Sequence, residues 1–72
     1  MGMLILDQRT AEYQWATDVA FDGLRLEVLS PEGDMLFDVS IPEGGPITVN
    51  TFGKEVAADV MLAAIETARG AR

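Results

Sequence analysis

Along residues 11–21 the odd positions read Ala, Tyr, Trp, Thr, Val and Phe, with Glu12, Gln14, Ala16, Asp18 and Ala20 between them. In an extended chain residues two apart emerge on the same side, whereas in a helix they do not. A run of this period therefore commits to a strand with one face buried. The same period returns twice, in Leu24-Arg25-Leu26-Glu27-Val28-Leu29 and in Met35-Leu36-Phe37-Asp38-Val39-Ser40-Ile41. A shorter piece follows at Ile47-Thr48-Val49-Asn50. Between these runs stand Asp22-Gly23, Ser30-Pro31-Glu32-Gly33-Asp34 and Pro42-Glu43-Gly44-Gly45-Pro46, all rich in turn formers.

The turns also set an expected register. Asp22-Gly23 is the preferred pair for a two-residue type I′ hairpin, which places Phe21 opposite Leu24, Val19 opposite Leu26 and Thr17 opposite Val28. A four-residue loop at 31–34 places Val28 opposite Phe37, Leu26 opposite Val39 and Leu24 opposite Ile41. The last loop sets Ile41 against Ile47 and Val39 against Val49. All three turns send the apolar side chains to one face, and a slip of one residue would send a strand's whole set to the other.

After the strands the period changes to that of a helix. From Gly53 or Lys54 to Arg69, the residues Val56, Ala57, Val60, Met61, Ala64, Ile65 and Ala68 sweep one broad arc. Asn50 or Thr51 is the expected N-cap and Gly70 the expected C′ residue. Leu62 widens the arc beyond what covering one sheet requires. Either the N-terminal residues 3–6 cover the surplus at Leu62 and Ile65, or a second copy of the helix does. The fold class is thus α+β: a two-layer single domain over residues 1–72. An antiparallel meander of four strands, five if residues 3–7 join it, packs one face on a C-terminal helix at about 53–69.

A chain of 72 residues buries only about 60% of its unfolded surface, so its core alone is marginal. Small domains make up the deficit with disulfides, metals or self-association. There is no cysteine and no histidine, which removes the first and the usual zinc ligands. A homodimer is the expected remedy. The apolar start Met1-Gly2-Met3-Leu4-Ile5-Leu6 is short and lacks a basic lead-in, so it does not read as a signal peptide. Leu6 stands where a myristoylation signal needs Ser or Thr. No run approaches the ~20 apolar residues of a membrane span. A cytoplasmic location is the default expectation.

The net charge of −7 is unevenly placed. Residues 7–43 hold nine acids against Arg9 and Arg25, whereas residues 44–72 hold Glu55, Asp59 and Glu66 against Lys54, Arg69 and Arg72. Such a surface repels phosphate, so neither nucleic acid nor an anionic membrane is an expected partner. A basic protein is.

With neither His nor Cys, the commonest general base and the strongest nucleophile are missing, and a four-strand, one-helix domain has little material for the walls of a cleft. No enzymatic activity and no cofactor are expected. Phe52-Gly53-Lys54-Glu55 has a Gly-Lys pair before a helix, but Thr48 stands at the first glycine of a phosphate loop and Glu55 at its Ser or Thr. The register puts Asp18, Glu27 and Asp38 in one row on the outer face, weak candidates for a divalent cation, although a solvated acidic face explains them more simply. Ala16, Leu29 and Leu36 fall on the same outer face, where Met3, Ile5 or Leu6 is the expected cover for Ala16; Leu29 and Leu36, with Leu62 and Ile65, are the candidate interaction residues. The expected function is a small acidic, homodimeric protein-interaction module. The alternatives are an acidic, antitoxin-like inhibitor that occupies a basic site on a partner, and a weak cation- or small-ligand-binding domain.

Overall fold

In the computed structural model, residues 2–6, 10–17 and 23–71 are described. Five strands, β1 (Gly2–Ile5), β2 (Thr10–Thr17), β3 (Gly23–Leu29), β4 (Met35–Pro42) and β5 (Thr48–Asn50), precede one helix, α1 (Ala58–Gly70). The strands form a single antiparallel sheet in chain order, β1-β2-β3-β4-β5. The helix lies on one face of this meander, against β1, β3 and β4. Among the described residues no helix is long and apolar enough to cross a membrane.

The alternating residues build the core. Leu26, Val28, Phe37 and Val39 are fully buried, joined by Leu4, Ala11 and Ile41 from the sheet. From the helix come Val60, Ala64 and Ala68, one residue per turn at spacing four. Two alanines in that stripe keep the helix close to the sheet, so the bulky partner at each contact comes from the strands.

Two of the three hairpin registers are as the turns imply. Val28 faces Phe37, Leu26 faces Val39, Leu24 faces Ile41 and Val39 faces Val49. The β2–β3 pairing differs: Thr17 lies opposite Leu24, Trp15 opposite Leu26 and Tyr13 opposite Val28. The strand is displaced by four residues, an even number, so every side chain keeps its face. The expected turn falls partly outside the described residues, since Asp22 does, but Gly23 already pairs with Pro42 of β4. In the observed register Glu12 and Tyr13 pair with both β1 and β3, so the first strand joins the sheet above the core. The two-residue turn would have left residues 11–15 extending past Leu29 with no β3 partner. Continuous backbone pairing overrode the local preference of Asp-Gly. Tyr13 lies over Gly2, whose missing side chain makes room for the ring.

The helix starts later than its pattern implies, at Ala58 instead of Gly53 or Lys54, and Ala57 occupies the N-cap with no side-chain cap. Asn50 and Thr51 serve a turn instead. The Phe52 amide donates to Asn50 Oδ1 at 3.1 Å, and the Lys54 amide donates to the Thr51 carbonyl at 3.0 Å. Phe52 and Gly53 both sit at positive φ, 56° and 76°. Two consecutive left-handed residues reverse the chain out of β5 and delay the helix. Its end also differs from expectation: Gly70 is the last helical residue and Ala71 caps in a right-handed conformation.

Two substitutions test this packing. Ala64→Leu forces a larger side chain into a fully buried position and lowers stability by about 1–3 kcal/mol in urea unfolding followed by circular dichroism. Gly53→Ala meets open space yet costs about 1 kcal/mol, because only the left-handed backbone objects.

Candidate functional site

The outward side of α1 carries the most exposed large apolar residue among those described. Leu62 is 62% exposed, and it lies on the far side of the helix from Val60, Ala64 and Ala68. Ala58 and Arg69 are exposed beside it, and Ile65 is half-buried on its flank. The N-terminal segment does not cover Leu62. β1 adds to the sheet edge and sends Leu4 into the core while Met3 stays 54% exposed. Asp59 opens the helix, where the macrodipole favours a carboxylate, and its Oδ1 accepts from the Val60 amide at 2.9 Å. Arg69 lies in the last turn, where a cation is favoured.

On the opposite face of the sheet the expected row of three acids does not form as drawn. The displaced β2 register sets Gln14, not Asp18, opposite Glu27, with Asp38 and Asn50 continuing the row. Gln14 Nε2 donates to Glu27 Oε1 at 2.6 Å, so an amide stands where a third carboxylate was expected. Asp18 itself lies outside the described residues. Among the described residues no group of three or more potential ligands is placed to hold a metal. Asp38 is nevertheless unusual, being the one buried charged residue in the described set. It sits on a central strand between Glu27 and Asn50, with Arg25 Nη1 at 3.8 Å from its Oδ2. Burial pushes its pKa above the ordinary carboxylate value; Arg25 pulls it back, and Glu27 adds to the rise.

Leu29 and Leu36 require a correction. They were expected on the outer face beside the acidic row, in the register that sets Val28 opposite Phe37. An irregularity at Val28/Leu29 pairs Leu29 with Met35 instead, leaving Leu36 as the extra residue of a bulge. Leu36 packs against the core, and both leucines line a cleft of about 320 Å³ together with Ala11, Val56 and Val60. Lys54 borders this cleft, and its Nζ donates to the Met35 carbonyl at 3.1 Å, occupying a backbone acceptor of β4 beyond the end of β5. Ala16 is half-buried. Tyr13 packs on the core while Trp15 is 38% exposed, the rings meeting edge to face at 6.0 Å and 81°.

No protein-family model, no curated protein and no solved structure matches this chain.

Sequence periodicity missed Phe52, which is 49% exposed despite its left-handed backbone. The signal was present in Asn50 followed three residues later by Gly53, the mark of a side-chain-closed turn.

Because Asp38 holds its proton more tightly in the folded than in the unfolded chain, its contribution to stability grows as pH falls from its raised folded pKa towards the ordinary value. Above that window its charge destabilises the fold. Asp38→Asn therefore raises the urea midpoint at pH 7, and its advantage over the parent shrinks on acidification. A lower midpoint at pH 7 would mean that attraction to Arg25 outweighs burial.

Proposed function

We propose that the protein is a small protein-interaction module that self-associates through the outer face of α1 and has no catalysis of its own. The supporting observation is Leu62, 62% exposed in the middle of a helix whose other side is already seated on the sheet. Leucine at such a position leaves apolar surface in water, and burying it against a partner returns up to about 1.5–3 kcal/mol. Ile65 extends the same surface. Ten buried apolar residues among those described, in a 72-residue chain without cysteine, fit a domain that gains stability on association. Leu29 and Leu36 contribute to the cleft beside Val56 and Val60, a secondary candidate for contact with a partner's apolar side chain.

The alternative of an acidic inhibitor draws on the net charge of −7 and on Glu12 and Glu27 on the open sheet face. It requires a basic partner and steep weakening with salt, whereas an apolar helix contact responds little. The cation-binding alternative has lost the three-carboxylate geometry that suggested it.

The test of the leading reading is the mass in solution across a concentration series. The parent chain exceeds its monomer mass of 7.8 kDa as concentration rises, and Leu62→Ser returns it to the monomer, with an unfolding midpoint close to the parent's at dilutions where the parent is itself monomeric. A parent that stays monomeric throughout would defeat the self-association reading.

A further inference from the structure

We propose that two copies of the chain pair α1 against α1 in antiparallel fashion, with Leu62 of each opposite Ile65 of the other and Arg69 of each beside Asp59 of the other. This inference rests on the self-association reading above and names its partner and geometry.

Ala58, Leu62, Ile65 and Arg69 follow one another at spacings of four, three and four. Their mean spacing of about 3.7 is close to the ~3.6 residues of a helical turn, so the four side chains form one nearly straight seam along the helix. Ala58, Leu62 and Arg69 are exposed, and Ile65 is half-buried. The seam is thus separate from the stripe of Val60, Ala64 and Ala68 that sits on the sheet.

Charge selects a second copy as the occupant and this side as the place. The net charge of −7 lies in residues 7–43, so copies meeting through the sheet would bring acids against acids. Residues 44–72 carry three acids and three bases, and α1 lies among them. Charge also selects the direction. Parallel pairing would stack Arg69 on its own copy across the two-fold axis. Antiparallel pairing centred between Leu62 and Ile65 brings Arg69 across from the second copy's Ala58, next to the second copy's Asp59, and symmetry makes the contact twice. Glu66, three residues before Arg69 on the same helix face, and the approaching Asp59 then share the guanidinium between them. The seam offers two large apolar side chains per copy over 13 residues, well below a standard interface, so the dissociation constant is on the order of tens of micromolar.

Sedimentation velocity on the full chain, over concentrations spanning that constant, provides the test. Arg69→Asp and Asp59→Arg each place like charges at both ends of the seam, and each alone weakens association at least ten-fold. Their equimolar mixture forms a heterodimer with attractive pairs restored at both ends, so its affinity returns to that of the parent. Circular dichroism on each variant checks the helix. Ala58→Asp, a change suited to a helix N-terminus, places a new carboxylate opposite Arg69 and tightens the antiparallel dimer several-fold, whereas it would weaken a parallel one. A parent that dimerises but ignores the charge exchange, or loosens with Ala58→Asp, overturns the antiparallel pairing and leaves self-association intact. A parent that never dimerises overturns both.

Discussion

The whole structure depends on one apolar sheet face being sealed by a helix that presents small residues to it. Leu26, Val28, Phe37 and Val39 have no exposed surface because Val60, Ala64 and Ala68 lie in the same cluster. The bulk comes from the strands and the closeness from the alanines. Removing either half would expose the other, and a domain of this size has little stability in reserve. Every surface considered for function is defined by that seal. The outer face of α1 is what the helix turns away from the sheet, and the acidic face is what the pleat turns away from the helix.

Much of this was legible in the residues because it follows from period alone. Alternation in residues 24–28 and 37–41 fixed which side chains share a face, and the lengths of two loops fixed which of them face each other. The β2–β3 register was not legible from the turn alone. Asp22-Gly23 argued locally for a tight turn, yet β2 pairs with β3 four residues away from that register, where Glu12 and Tyr13 have partners on both β1 and β3. Faces survived since the offset is even. The acidic row did not, and Gln14 took the place given to Asp18. The bulge that draws Leu36 into the cleft was equally hidden: a single extra residue beside Leu29 defeats strict alternation without leaving a Gly or Pro to mark it.

The helix shows how a strong pattern can still misplace a boundary. Val56 and Ala57 fit the helical arc, but positive φ at Phe52 and Gly53 and the extended Ala57 hold residues 54–57 out of the helix. What remains is 13 residues with two distinct stripes, one of small residues for the sheet and one containing Leu62 and Ile65 that the domain leaves open. A single hydrophobic arc read from sequence was two narrower surfaces in the fold. That division connects the packing to the proposed association.

The measurement closest to the central claim is a methyl NOE experiment on the isotopically labelled chain. Sealing of the sheet by the alanine stripe predicts cross-peaks from the Ala64 and Ala68 methyl groups to side chains of β3 and β4, with none of comparable strength from Leu62. Ala64 and Ala68 methyls lacking any contact with those strands, while Leu62 shows them, would mean that the helix lies on its other side.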